Sequence, residues 1–190
     1  KKGCCWGTWL VYVLPQLAGV LKNAPGIDVR VCALPENWVI ALQRGDIDLK
    51  LGRKYAVPDT LESQEISQEQ FACVVRRGHP AAAKPSLRDY AALDHVVIVP
   101  TVPAGSTTGE QALGYIDTVL AKHGLRRRVV LTVPHFLVAP FIVAQSDLVL
   151  TAPVRLLDPF VKLLRLRRIE LPFRLAGYKL SQVWAARSSD

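Results

Sequence analysis

Serine, histidine and aspartate are the first residues to weigh as chemistry. Ser106 lies in Gly105-Ser106-Thr107, His135 follows Pro134, and Asp147 closes an apolar stretch, so a nucleophile, base and orienting acid can be drawn from them. The set is weak. No residue separates Gly105 from Ser106, so the G-x-S-x-G turn that exposes a nucleophilic serine is missing. Any chain of this size offers some such trio. Metal chemistry fares no better. His79, His95, His123 and His135 form no i, i+4 pair, and Cys4, Cys5, Cys32 and Cys73 include no C-x-x-C. There is no glycine-rich phosphate loop. We therefore expect no enzyme, no metal and no cofactor, and free or buried thiols of a reducing cytosol.

Binding suits the residues better. Thr8 with Trp9, the run Thr101 to Thr108 with Gly105, Ser106 and Thr107, and His135 with Phe136 each stand where a strand gives way to a helix. Hydroxyls and backbone N–H groups at such points can hold a carboxylate, and the aromatic rings suit an apolar body. Pro35 and Glu36, in the loop Leu34 to Asn37, complete the candidate set. Each has a plainer reading. Thr8 and Ser106 could simply cap helices. Phe136 could pack a core, and Trp38 a core or a dimer contact. The helix start beside His135 could meet only water.

The elements that would position these residues follow from hydrophobic spacing. VPHFLVAPFIVAQSDLVLTAPVR, from Val133 to Arg155, reads as the end of a strand, a helix over Phe136 to Ala144, and a strand at Leu148 to Leu150. The strand ending at Val133 and the one at Leu148 look buried on both faces, as parallel strands are. Upstream, Leu10, Val13, Leu14, Leu17, Val20 and Leu21 recur at helical spacing, with Pro15 expected to bend the helix. Ile27 to Ala33 alternates like a strand. Trp38 to Arg44 is a short helix capped by Gly45. Leu61 to Ile66 and Gln70 to Arg76 read as strands. Ser86 to Tyr90 is a capped helical turn, His95 to Val99 a strand, Gly109 to His123 a helix, Asp158 to Leu164 another, and Arg168 to Leu171 and Lys179 to Ala185 strands. The order βαβαβ thus runs twice. Two α/β halves would leave a crevice facing the carboxyl edges of both sheets.

The totals are compatible. The chain has 190 residues, half of them hydrophobic, enough for two small domains with real cores. No apolar run reaches the ~18 residues of a membrane span, and the opening residues do not read as an export signal. The charge of +8 invites a nucleic-acid partner. However, Arg126 to Arg128 and Arg165, Arg167 and Arg168 border predicted strands, where basic residues commonly protect sheet edges. No zinc-finger spacing, RNA-binding aromatic pattern or helix-turn-helix is legible.

Several segments together carry a family resemblance. LQRGDIDLKLG (Leu42 to Gly52), VVRRGHP (Val74 to Pro80), the stretch Leu120 to Ala144 and VWAAR (Val183 to Arg187) resemble LysR-type transcriptional regulators. VPHFLVAPFIVAQSDLVLTAPVRL is most similar to the branch that includes the nodulation regulators. The resemblance runs from about Leu14 to Asp190. It implies the C-terminal effector-binding domain, with a fold like type 2 periplasmic binding proteins. Two Rossmann-like subdomains, residues 1–74 plus 175–190 and 75–174, would be joined by two crossover strands.

It further implies a small organic acid effector in the inter-lobe cleft and a homodimer or homotetramer. The dimer would form through helices near Val11 to Leu21 and Trp38 to Gln43. A winged helix-turn-helix outside this sequence would contact DNA, and the location would be cytoplasmic with no membrane partner. Two features depart from the pattern. Cys4-Cys5-Trp6-Gly7-Thr8-Trp9 replaces an apolar strand and small polar residue, and Ala185 stands where this branch often has histidine. A transporter's solute receptor or an enzyme such as a deaminase or dehydratase relative could share the fold.

Overall fold

The computed structural model describes residues 2–4, 9–53, 56–99 and 114–186. The chain forms two compact units. The first comprises Lys1–Glu69 and Gly177–Asp190, the second Gln70–Ala176.

The first unit holds β1 (Lys2–Cys4), α1 (Leu14–Asn23), β2 (Val31–Cys32), α2 (Trp38–Arg44), β3 (Leu49–Arg53), β4 (Leu61–Glu69) and β10 (Tyr178–Ala185). Its sheet has the order β2-β1-β3-β10-β4. β1 is parallel to both β2 and β3, whereas β10 is antiparallel to β3 and β4. Parallel neighbours need long crossovers, and α1 and α2 supply them. α1 does not begin where spacing suggests. Trp9–Val13 forms a π-helical turn, and α-helix proper starts at Leu14 with Pro15 in its first turn. Pro15 has no N–H for the carbonyl four residues back and its ring crowds it, so the expected bend becomes a change of helix type. The strand expected over Ile27 to Ala33 contracts to Val31–Cys32 at the sheet's edge, while β4 extends beyond Ile66 to Glu69. Gly45 ends α2 with φ 78°, a left-handed conformation that costs glycine little. Ala41, Leu42, Ile47, Leu61, Val183 and Ala185 form this unit's core, with Trp38 and Val39 packed against it.

The second unit holds β5 (Phe71–Val75), α3 (Leu87–Ala92), β6 (Asp94–Ile98), α4 (Tyr115–Ala121), β7 (Arg128–Val133), α5 (Ala139–Ala144), β8 (Val149–Pro153), α6 (Val154–Leu163) and β9 (Arg167–Ile169). The order is β7-β6-β8-β5-β9. β6 is parallel to β7 and β8, and β5 runs antiparallel to β8 and β9. Because β5 pairs only within this sheet, Phe71 to Val74 belong to the second unit and not to a first lobe ending at residue 74. The chain passes between units at Glu69–Gln70 and Ala176–Gly177. Glu69 and Tyr178 are register partners there. A Cβ on Gly177 would lie 1.9 Å from the Glu69 carbonyl oxygen, so only glycine permits this approach.

Three expectations change in this unit. β7 is an edge strand and mostly exposed, in contrast to buried β8, because it has a neighbour on one side only. α5 starts at Ala139, after a turn over Phe136 to Val138, because Pro140 is tolerated only in a first turn. α6 starts at Val154, four residues before the expected Asp158, its first N–H bonded to the Gln70 carbonyl at 2.8 Å. The turn at Ser86 is a capping box: Ser86 Oγ accepts from Asp89 N–H, and the Asp89 carboxylate accepts from Ser86 N–H. The core gathers Cys73, Val75, Tyr90, Ala91, Leu120, Val149 and Ile169.

Candidate ligand-binding edges

Parallel strands with helical crossovers bring all their carboxyl ends to one edge, and each unit has such an edge. In the first, β1, β2 and β3 end together. Pro35 and Glu36 follow β2; Pro35 is half-buried and its carbonyl accepts from Trp38 N–H at 3.1 Å, whereas Glu36 is exposed. Trp9 opens the π-helical turn, and Thr8 lies outside the described residues. Trp38 packs on the core, with Lys50 Nζ 4.9 Å from its ring centroid. The core reading of Trp38 therefore holds.

In the second unit, Ile98 and Val133 are register partners at the ends of β6 and β7, and Val99 N–H donates to the Val133 carbonyl at 2.9 Å. The segments that follow β6 and β7 therefore leave from adjacent points. His135 is exposed and Phe136 half-buried in the second of them. Thr101, Gly105, Ser106 and Thr107 lie outside the described residues. The helix start is displaced from His135 and Phe136 to Ala139; the His135 carbonyl instead accepts from Val138 N–H in a turn.

The serine-histidine-aspartate trio does not survive this topology. Asp147 precedes β8 while His135 follows β7, and both strands are parallel to β6, so the two residues occupy opposite edges. A strand of this length separates them by roughly 15 Å. The Asp147 carboxylate is engaged by Arg76, through Nε at 2.7 Å and Nη2 at 2.6 Å. Among the described residues no group of three or more histidines, cysteines or acids could hold a metal ion.

Sequence reading missed three buried polar arrangements. Tyr12, from the π-helical turn, donates to the carboxylate of nearly buried Glu69 and lies 2.9 Å from Ser67 Oγ, which itself donates to Glu69 at 2.8 Å. The alternation of Ser67 and Glu69 on one face of β4 was the available signal. His79, expected as a loop residue, is buried: Nδ1 accepts from Ala81 N–H at 3.0 Å and Nε2 donates to the Asp147 carbonyl at 3.0 Å. Arg167 donates to the His79 and Ala81 carbonyls, fastening the same loop.

The third arrangement fills the second unit's centre. Tyr90 OH lies 2.9 Å from Thr151 Oγ1, and its ring meets His95 and Phe173 edge-on. His95 Nε2 bonds the Tyr90 carbonyl at 3.0 Å, whereas Nδ1 has no partner among the described residues. Burial lowers the His95 pKa to about 4 and pushes the Cys73 thiol up to about 12. Neither group is poised for proton transfer or nucleophilic attack near neutrality.

Comparison with known proteins agrees with this topology. The family model described as "LysR substrate binding domain" matches residues 7–190. The transcriptional activator NahR of Pseudomonas putida is 29% identical over 180 residues, covering 93% of this chain and 57% of that protein. The transcriptional regulator SyrM of Rhizobium meliloti is 30% identical over 179 residues, covering 94% and 52%. The chain thus spans about half the length of the curated relatives it matches. Among solved structures, a probable transcriptional regulator from Pseudomonas aeruginosa superposes with a TM-score of 0.83 at 28% identity, covering 100% of this chain and 61% of that one. The regulatory domain of MexT, from the same organism, superposes with a TM-score of 0.77 at 23% identity, covering 100% and 88%. The chain belongs to the LysR substrate-binding domain family.

Proposed function

We propose that this chain is the effector-sensing part of a LysR-type regulator of transcription, responding to a small organic acid in the cytoplasm. The observation that supports this reading is the set of parallel strand ends in each unit; in the first, Pro35 and Glu36 follow β2. In the second, His135 and Phe136 follow β7, and Thr8, Trp9, Thr101, Gly105, Ser106 and Thr107 complete the proposed set. Backbone donors at a strand end hold the carboxylate, and an aromatic ring such as that of Phe136 covers the organic body. Ligand binding favours one arrangement of the protein over another, and DNA-contacting parts of the full regulator read the change.

Subunits associate through α1, which has no buried residue of its own and exposes Leu14, Val20 and Leu21, and through α2, which exposes Ile40. The relatives named above are transcription regulators, which favours this reading over a transporter's solute receptor.

Isothermal titration calorimetry with a panel of aromatic and aliphatic monocarboxylates tests the proposal. At least one acid should bind with micromolar affinity, raise the melting temperature, and lose tenfold or more in affinity in Phe136→Ala. Failure of every acid to bind the folded protein defeats it.

A further inference from the structure

The excess charge is concentrated in one unit. Of the 24 lysines and arginines, 14 fall in Gln70–Ala176, against 7 of the 16 acids, so this unit carries +7 of the total +8. The strand registers show where part of it gathers. Val75 pairs with Arg167, Val74 with Leu150, His95 with Val149, and Asp94 with Arg128. The end of β5 and the starts of β6, β7, β8 and β9 therefore share one edge, opposite the ligand-binding edge. Five strands make this edge roughly 19 Å wide.

Some of the arginines there are neutralised: Arg76 by Asp147, Arg127 by Asp117, and Arg128 by Asp94. Arg77, Arg126 and Arg165 are exposed, and none has a carboxylate within ion-pair distance among the described residues. Two structural explanations fall short. Protection of sheet edges would account for basic residues beside the outer strands β7 and β9, but Arg77 follows β5, which has neighbours on both sides. Compensation of helix C-termini is also too small. The four helices ending toward this edge present about half a negative charge each, roughly −2 against the +3 of Arg77, Arg126 and Arg165. The chemistry of the edge also narrows its partner. Leu163, Val129 and Val130 are exposed beside these arginines, but three apolar side chains divided between α6 and β7 are few for the apolar centre of a protein interface. Phosphate contacts require only charge and donors.

We propose that this edge, through Arg77, Arg126 and Arg165, is a docking surface for the phosphate backbone of duplex DNA, independent of base sequence. The choice of DNA as the polyanion rests on the regulator reading above, but the organic-acid titration does not involve this edge, so either can fail alone.

Fluorescence anisotropy of the chain with a labelled 30-base-pair duplex, across a sodium chloride series, tests it, with a polyglutamate peptide as competitor. Wild type should bind at 50 mM salt. The triple variant Arg77→Glu, Arg126→Glu, Arg165→Glu should weaken binding at least tenfold. A charge-matched triple on the first unit, Lys22→Glu, Arg30→Glu, Arg44→Glu, should weaken it less than threefold. The milder triple Arg77→Gln, Arg126→Gln, Arg165→Gln keeps the test valid if the reversal does not fold. It should reduce the slope of log Kd against log salt by roughly 0.9 for each arginine replaced. No duplex binding at 50 mM salt, equal loss in both charge-reversed triples, an unchanged slope, or displacement of DNA by an equal charge of polyglutamate would overturn the proposal.

Discussion

His95 has no exposed surface and an imidazole nitrogen without a partner among the described residues, so protonating it in place would bury an uncompensated cation. Burial depresses its pKa most, and Arg127 adds to that; the Tyr90 carbonyl, Asp117 and Asp94 oppose it without prevailing. The folded value is about 4 against 6.5 for the ordinary group, so the unfolded chain binds the proton first as pH falls. Stability is therefore full above about pH 6.5 and declines toward pH 4. Below that both states are protonated and the effect levels off. The depression corresponds to at most about 3 kcal/mol. Urea denaturation at pH 7.5 and 4.5 should show a drop in midpoint that is markedly smaller in His95→Gln. An identical drop in the variant would assign the loss to other groups. Burial raises the Asp117 carboxyl but Arg127 outweighs it and holds it below its usual range, and hydrogen bonds from Ser86 do the same for Asp89, so both carboxylates add to the acid sensitivity.

Between elements, Arg127 and Asp117 form a largely buried charged link in the second unit. Their side chains are 4% and 13% exposed, and two hydrogen bonds of 2.8 and 2.6 Å join the start of β7 to α4. Asp117 also accepts from Gly114 N–H at the helix start. Arg127→Ala would leave the carboxylate largely buried without its cation. Removal of one partner from such a pair costs about 3–5 kcal/mol. Thermal melts should place this variant well below Arg128→Ala, whose pair with Asp94 is exposed and contributes at most about 1 kcal/mol.

Elements were legible where local rules act alone: the Gly45 cap, the Ser86 capping box and the Trp38 to Arg44 helix follow from residue types within one turn. Helix starts at Leu14, Ala139 and Val154 were not. Prolines at 15 and 140 shift two of them by a steric rule that hydrophobic spacing ignores, and the third is set by a bond to Gln70.

At the scale of the molecule, two α/β units and the candidate edges follow from the repeated strand-helix order, and the family from four separated segments. Sheet order could not be read, because β10 enters between β3 and β4 from the far end of the chain, and β5 pairs forward rather than back. Those pairings join residues far apart along the chain, which no local pattern encodes. The bonds from Tyr12 to Glu69 and from His79 to the Asp147 carbonyl were hidden for the same reason: their partners are distant in sequence.

Cys73 sits at zero exposure in the second unit's core, its thiol held un-ionised to about pH 12. It is consequently a built-in stopwatch. An alkylating reagent can reach it only while the surrounding sheet is transiently parted, so its labelling rate, read by mass spectrometry of the peptide containing it, times those openings directly. An acid that tightens this half of the protein should slow that clock without any engineered probe.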